Sequence, residues 1–348
     1  MTRTSLLSRS ALPLLAASFS LLAPAVQAEP SIAATVSPGA GLYEVVVSDA
    51  KSLVYVASVG QRDQNNARVV ALDPETLETK SAIDLAEPAF GLALNDKTGT
   101  LYTTNTRSDS ISAIDLATGK VVATIKQDSK AHTRQIVVDP DGNRVFATIT
   151  GRRDTPSEIW IIDGAKNEIV ATVADLKGSI TGLAFDAAGN RLFATAMESN
   201  EILEIDLADN SVKRTFPSGG KNAINVAYSP KSDRLFVTHQ ESGELTVLDA
   251  KDGSVVKTLP TGEGALGITL DEERGLAYVA NRRAGWVSVI DTEGLEIMKN
   301  YVTGSMPNTV AVDPETGSAY VTNKTKSAGR NGPPTVDPLG DTVTLIKQ

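Results

Sequence analysis

Side chains that donate hydrogen bonds recur at equivalent points of this chain, where short apolar segments begin or end. Arginine and asparagine predominate among them, together with one glutamine and one histidine. The candidate ligand-binding residues are Asn105, Arg134, Gln135, Arg152, Asn225, His239, Asn281, Arg282, Asn308 and Asn323. Guanidinium and amide groups that converge on one pocket offer donors to an anion or to an amide-rich molecule. The pattern therefore predicts a binding rim for a small anionic ligand or a protein partner.

Acid–base and metal chemistry have fewer candidates in this sequence. The chain has no cysteine and only two histidines, His132 and His239, so it lacks thiolate ligands and cannot form a histidine-rich metal site. Glu44 is the one acid at the inner start of a predicted strand, and a single carboxylate does not make an acid–base pair. We therefore expect no catalytic residue, no bound metal and no cofactor. A mixed site of histidine and carboxylates stays open as an alternative.

The elements that must position these residues repeat along the chain. An aromatic residue opens the second strand of each unit, at intervals of 42 to 47 residues: Tyr55, Tyr102, Phe146, Phe193, Phe236, Tyr278 and Tyr320. An aliphatic strand precedes each aromatic residue, and two further strands follow it in most units. Four short antiparallel strands in about 43 residues are typical of one propeller blade. The sequence therefore predicts an all-β fold, a seven-bladed β-propeller of four-stranded antiparallel blades.

The last repeat lacks one strand, and the start of the chain has one to spare. A single strand, residues 341–346, follows the loop after Tyr320, while residues 31–36 form a strand before the first blade. Pairing these two strands closes the ring and removes two exposed edges. We also expect the aromatic residues to pack between blades. The aspartates that end the third strands should cap turns, namely Asp73, Asp115, Asp163, Asp206, Asp249 and Asp291.

The N-terminus has the pattern of a secretory signal peptide. Arg3 and Arg9 precede an apolar stretch, residues 11–25, and Val26-Gln27-Ala28 is a small-x-small cleavage site. We therefore expect residues 1–28 to be the signal peptide and residues 29–348 to form a single propeller domain in the periplasm. No later segment is apolar for long enough to span a membrane.

The formal net charge of −9 argues against a surface that binds nucleic acid throughout. Most of the acid excess falls in the tight turns that we assign to one face of the ring. The opposite face, which has the longer loops, is expected to be neutral to mildly basic. An anion would therefore bind on the face of the longer loops.

One repeat ends in Tyr320-Val321-Thr322-Asn323, the signature tetrapeptide of the YVTN-repeat β-propellers, and residues 278–281 and 102–105 are close variants. With seven such WD40-like units and a signal peptide, the chain resembles the YncE-like family of periplasmic seven-bladed propellers. The resemblance implies a shape and a cellular location. It leaves the activity open, because the same blades serve lactonases, quinoprotein-type dehydrogenase subunits and binding modules.

Three functions are consistent with these observations. We expect a monomeric, non-catalytic periplasmic binding or scaffold protein that holds a small anionic ligand or a protein partner at the rim. The first alternative is single-stranded nucleic-acid binding by the same rim, with Trp286 as a nearby aromatic. The second is a lactonase- or dehydrogenase-subunit-like enzyme, which requires an acid–base pair or a metal among central carboxylates.

Overall fold

The computed structural model of the chain describes residues 1–2, 30–61, 64–127, 132–151, 155–326 and 336–347. Nearly all of the predicted signal peptide, residues 3–28, lies outside this part of the chain. Among the described residues, no helix has the length and apolar character needed to cross a membrane. The regular structure that is described consists of short β-strands, as the dense alternation of aliphatic segments and turns predicts.

The first half of the chain forms a leading strand and three blades. Its strands are β1 (Ser31–Val36), β2 (Leu42–Ser48), β3 (Leu53–Ser58), β4 (Arg68–Leu72), β5 (Thr79–Asp84), β6 (Gly91–Asn95), β7 (Thr100–Asn105), β8 (Ser110–Asp115), β9 (Lys120–Ile125), β10 (Thr133–Asp139), β11 (Arg144–Ile149), β12 (Ser157–Asp163) and β13 (Glu168–Leu176). Blade 1 is β2 to β5, blade 2 is β6 to β9 and blade 3 is β10 to β13, each an antiparallel sheet in chain order.

The second half forms three more complete blades and most of a seventh. Its strands are β14 (Ile180–Asp186), β15 (Arg191–Ala196), β16 (Glu201–Asp206), β17 (Ser211–Pro217), β18 (Ala223–Ser229), β19 (Arg234–His239), β20 (Glu244–Asp249), β21 (Val255–Leu259), β22 (Ala265–Asp271), β23 (Leu276–Asn281), β24 (Trp286–Asp291), β25 (Glu296–Tyr301), β26 (Pro307–Val312), β27 (Ala319–Asn323) and β28 (Thr342–Lys347). Blades 4, 5 and 6 begin at β14, β18 and β22.

The seventh blade is completed by the leading strand. Its sheet order is β1-β28-β27-β26, and β1 pairs antiparallel with β28. The hydroxyl groups of Thr35 and Thr344 lie 3.1 Å apart across this pair. The predicted seven-bladed propeller, closed by the N-terminal strand, is thus confirmed.

The repeated aromatic residues fill the spaces between neighbouring blades. All seven are at most 4% exposed, and each packs with aliphatic side chains in a cluster shared by two blades. Two of the tyrosines also bind the backbone of a neighbouring blade: the Tyr320 hydroxyl donates to the Pro74 carbonyl at 2.9 Å and the Tyr102 hydroxyl to the Gly164 carbonyl at 3.3 Å. The prediction that these residues are core plugs is confirmed.

The aspartates that end the third strands cap the turns that follow. Asp73 is typical, since one carboxylate oxygen accepts hydrogen bonds from the backbone N–H groups of Glu75 and Thr76, both at 3.0 Å. The other five accept from the backbone two residues ahead at 2.7 to 2.9 Å: Asp115, Asp163, Asp206, Asp249 and Asp291. This recurrence confirms that the six aspartates belong to the scaffold.

Candidate functional site

A β-bulge near the start of the first strand determines what faces the centre of the ring. In blade 1, Leu42 pairs with Ser58 and Val45 with Val56, so Tyr43 and Glu44 together oppose the single residue Ala57. The same register shift occurs in five other blades. A bulge re-aims the side chains on its strand. In these six blades two consecutive residues are therefore available to line the central space, where a regular strand would offer one.

These positions form two rings around the axis. The outer ring, nearer the face of the longer loops, consists of Tyr43, Phe90, Arg134, Thr181, Ile224, Leu266 and Asn308. The inner ring, one residue further along each strand, consists of Glu44, Gly91, Gln135, Gly182, Asn225, Gly267 and Thr309. All of them except Gly182 and Gly267 line, together with loop residues, a cavity of about 680 Å³. Cavities of this size accommodate organic molecules of metabolite size.

In five of the seven blades a threonine in the second strand binds the backbone of the next blade, whereas blades 1 and 6 have Ala57 and Ala280 at this position. In blade 2 the Thr104 hydroxyl accepts from the Gly91 N–H at 2.8 Å and donates to the Arg134 carbonyl of the next blade at 2.9 Å. The equivalent hydroxyl groups in other blades also donate to outer-ring carbonyls of the following blade, at 2.7 to 3.3 Å. These donors are the hydroxyl groups of Thr148, Thr195, Thr238 and Thr322. This threonine is the third residue of the YVTN tetrapeptide. The motif therefore links the blades directly behind the cavity wall.

Cationic side chains gather at the mouth of the cavity. Arg134 lies in the outer ring and Arg282 follows β23, and both line the cavity. Burial is the main cause that lowers the pKa of each, and the charge of Arg282 lowers the pKa of Arg134 further. The Arg134 side chain is accessible to solvent within the cavity. Protein still surrounds it on most sides, so the charged form is desolvated and its pKa is lowered. Two guanidinium groups thus lie close enough to repel each other.

No carboxylate among the described residues forms an ion pair with Arg134 or Arg282. The Nε atom of Arg282 is also buried without a hydrogen-bond partner in this part of the chain. A buried donor without an acceptor costs about 1 to 3 kcal/mol. The site is therefore incomplete as described, and an anion would supply the missing acceptors.

Two further cations lie against aromatic rings at the same mouth. The Lys324 ammonium lies 2.9 Å from the centroid of the Tyr43 ring, and the Arg107 guanidinium lies 5.5 Å from that of Phe90. The two rings contact each other edge to face, with centroids 4.7 Å apart. Burial, together with the charges of Arg282 and Arg107, lowers the pKa of Lys324 to about 6. An anion bound here would favour the charged form of Lys324.

Glu44 is the only acid in the two rings. Burial raises its pKa to about 7, although hydrogen bonds from Thr309 and the Val45 N–H favour the carboxylate. The Val45 contact, at 3.4 Å to Oε1, is long. No cation among the described residues forms an ion pair with Glu44. The cavity therefore contains a carboxyl group that is largely protonated below neutral pH and can then donate a hydrogen bond.

Five of the ten predicted rim residues come together in this cavity: Arg134, Gln135, Asn225, Arg282 and Asn308. Two of them also serve the scaffold. Asn308 donates from Nδ2 to the Tyr43 carbonyl at 2.9 Å, and Asn225 accepts from the Val226 N–H at 3.0 Å. Arg152 lies outside the described residues. Whether any of these residues binds a ligand stays a prediction.

Four predicted rim residues lie elsewhere: Asn105, His239, Asn281 and Asn323. The sequence-based placement of these side chains at the channel mouth is wrong, because all four are fully buried inside their blades. Asn323 donates from Nδ2 to Thr342 Oγ1 at 3.1 Å, Asn281 to Ser288 Oγ at 2.9 Å and Asn105 to Ser112 Oγ at 2.7 Å. His239 Nε2 lies 3.1 Å from Ser218 Oγ. In blades 2, 5, 6 and 7 the polar residue that ends the second strand therefore binds a hydroxyl group of a neighbouring segment.

Sequence reasoning missed the apolar half of the cavity. Tyr43, Phe90, Ile224 and Leu266 line it, and none of them is among the predicted rim residues. The signal that could have identified them is positional: they occupy the site equivalent to Arg134 in other repeats. The bulge, which turns this position inward, leaves no trace in residue types.

The opposite face has a different character. A cavity of about 380 Å³ between blades 1 and 7 is lined there by Asp49, Glu75, Asp313 and Glu315 among others. Burial and the charges of Asp313 and Asp96 raise the pKa of Asp49. Nowhere in the described ranges do three His, Asp or Glu residues form a group that could hold a metal ion. Anions are therefore expected at the cationic mouth rather than on this face.

Comparison with known proteins gives a family and a fold. A family model described as a YNCE-like beta-propeller matches residues 13–328. Curated relatives include the Escherichia coli (strain K12) "Uncharacterized protein YncE", 32% identical over 166 residues, which are 45% of this chain and 46% of that protein. The Salmonella typhi protein of the same name is 32% identical over 191 residues, 52% of each chain. The chain thus matches these relatives over about half of their length.

Among solved structures, "Kuenenia stuttgartiensis Hydrazine Synthase" matches with a TM-score of 0.72. The alignment covers 89% of this chain and 96% of that one, at 18% sequence identity. At this identity the likeness concerns the fold alone.

Proposed function

The chain belongs to the YncE-like β-propeller family, and on that premise we propose that it is a non-catalytic periplasmic binding protein for a small organic anion. The central cavity is the proposed binding site. The observation that carries this proposal is the pair Arg134 and Arg282, whose guanidinium groups have no ion-pair partner among the described residues. Two such donors facing one cavity favour a carboxylate or a similar oxyanion.

The apolar half of the outer ring supports an organic rather than an inorganic anion. Ile224 and Leu266 are at most 8% exposed and line the same cavity as the two arginines. An inorganic anion would leave this apolar surface in contact with water. A ligand with an acid group and an apolar body would satisfy the arginines and cover these side chains together.

A protein partner and single-stranded nucleic acid are the competing occupants of the same mouth. Nucleic-acid binding would need an exposed aromatic platform, and Trp286 does not offer one. Its Nε1 donates to the Thr261 carbonyl at 2.9 Å, and Gly262 packs directly against its ring. The geometry therefore favours a small ligand, held by a protein that we expect to act as a monomer.

The test uses dansylglycine, a fluorescent aromatic carboxylate, and dansylamide, its uncharged analogue. We expect the wild type to bind dansylglycine more tightly than dansylamide. Arg134→Ala with Arg282→Ala should weaken dansylglycine binding at least tenfold, because two charge-assisted hydrogen bonds are lost. The melting temperature should change little, since the double substitution removes two like charges that repel each other and form no ion pair among the described residues.

The matched control is Arg283→Ala. Arg283 is exposed, neighbours Arg282 in sequence and donates to the Gln240 carbonyl at 3.2 Å. Its loss should leave dansylglycine binding unchanged. Equal binding of dansylglycine by the wild type and the double variant would refute the proposed site. Oligothymidylate binding that falls steeply with salt and depends on Arg134 would support the nucleic-acid alternative instead.

A further inference from the structure

Glu44 is a partly buried acid that the proposed anion site does not by itself need. It lies one residue beyond Tyr43 in the inner ring, so it is deeper in the cavity than the cationic mouth. The scaffold contacts it through the Thr309 side chain and through one long hydrogen bond, 3.4 Å from the Val45 N–H to Oε1. In blade 5 the equivalent residue, Asn225, makes the same local contact at 3.0 Å without a charge. A carboxyl group is thus not required for capping this bulge.

The groups around Glu44 determine which protonation state it adopts. The neighbouring first strands contribute Gly91 from blade 2 and Thr309 from blade 7, neither of which is charged. The other titratable or charged groups at the cavity are Tyr43 on the same strand, Arg107 and Asp109 after β7, His132 and Arg134 at the start of β10, Arg282 after β23, and Lys324 against Tyr43. Desolvation is the largest cause that raises the pKa of Glu44, to about 7.

We propose that Glu44 determines ligand specificity by donating a hydrogen bond from its protonated carboxyl group to a second, uncharged oxygen of the bound organic anion. This inference rests on the proposed function. The acid group of the ligand lies at Arg134 and Arg282, its body against Ile224 and Leu266, and its second oxygen function points towards the inner ring. The ligand class is therefore an organic acid that also bears a carbonyl or comparable acceptor.

A consequence is that binding of an acceptor-bearing ligand favours the protonated form of Glu44, and protonation of Glu44 favours binding of that ligand. Glu44 in its ionised form presents only acceptors to the second oxygen of the ligand, so the hydrogen bond is lost. The preference for an acceptor-bearing ligand should then fall as the pH rises through the pKa of Glu44. Anion binding as such also weakens with rising pH, because Lys324 loses its charge, so a test must separate the two effects.

The test compares para-acetylbenzoate with para-isopropylbenzoate as competitors of dansylglycine. The two probes have similar volume and the same acid group, so Lys324 and the arginines affect both alike. Only the acetyl group accepts a hydrogen bond. At pH 6 the wild type should prefer para-acetylbenzoate by about fivefold, the value of one net hydrogen bond. At pH 8.5 the preference should largely disappear.

Two variants isolate the role of Glu44. Glu44→Gln keeps a donor and an acceptor for Val45 and removes the charge, so it should retain the preference at both pH values. Glu44→Met is close in volume and cannot donate, so it should prefer para-isopropylbenzoate at either pH. A wild-type preference that persists at pH 8.5, or an unchanged preference in Glu44→Met, would overturn the proposal. If dansylglycine binding is insensitive to the arginine substitutions, the proposed function itself fails, which is a separate result.

Discussion

Replacing Thr104 with valine tests whether the threonine of the repeat holds both the ring and the cavity together. Valine has nearly the shape of threonine, so the substitution leaves no void in this fully buried position. It removes one hydroxyl group that accepts from the Gly91 N–H at 2.8 Å and donates to the Arg134 carbonyl at 2.9 Å. Both backbone groups then lose a buried partner.

The magnitude follows from these two losses. A buried backbone group left without its hydrogen bond costs about 1 to 3 kcal/mol, so two such groups predict a loss of about 2 to 6 kcal/mol in the free energy of unfolding. Because the lost bond ends on the backbone of Arg134, dansylglycine affinity should fall as well. Equilibrium unfolding in urea measures the first effect and fluorescence titration the second.

Thr124→Val is the matched control in the same blade. Thr124 is exposed on the outer strand β9, where a substitution is expected to change the unfolding free energy by no more than about 0.5 kcal/mol. The reasoning is refuted if the two variants are equally stable. Destabilisation of Thr104→Val with unchanged dansylglycine affinity would show that the bulge positions Arg134 without this hydrogen bond.

Three further outcomes are expected. The pKa of Asp73 is lowered to about 2, mainly by hydrogen bonds from the backbone of Thr76 and Glu75. The ionised carboxylate therefore stabilises the folded state above pH 4, and this stabilisation is lost as the pH falls towards 2. The stability advantage of the wild type over Asp73→Asn in urea unfolding should therefore narrow over that range, and a constant difference would contradict this. Deletion of Ser31–Val36 should lower the melting temperature and promote association through the exposed edge of β28, which size-exclusion chromatography would detect; a stable monomer would argue against closure by β1. The secreted protein should begin at Glu29, and N-terminal sequencing of a periplasmic fraction that finds Met1 would contradict export by cleavage.

The architecture could be predicted from the sequence because it is repeated. Seven aromatic residues at one repeat position, such as Tyr102 and Phe193, and six aspartates at another give the same signal many times over. The closure by β1 followed from counting strands. Each of these inferences depends on alternation and turn chemistry, which are local properties of the chain.

The site was less predictable because it depends on one irregularity. Regular alternation assigns Arg134 and Gln135 to opposite faces of a strand, and the bulge brings the two positions together at the cavity. The same regular pattern suggested that Asn281 and Asn323 end their strands at a solvent-filled mouth, whereas hydroxyl groups of adjacent strands bind both inside the blades. Residue type alone does not distinguish an asparagine that binds a ligand from one that joins two strands.

The pairing of β1 with β28 has a mechanical consequence. Ser31 lies opposite Lys347, and the register then runs inward to Val36 opposite Val343. A force that pulls Ser31 and Lys347 apart would therefore break the hydrogen bonds between β1 and β28 one after another, instead of loading all of them in parallel. The ring should open at low force along this seam, while the hairpins of the other six blades stay intact. A pair of labels attached near Ser31 and Lys347 would report this opening as an increase in the distance between them, because the two residues lie opposite each other in the closed ring.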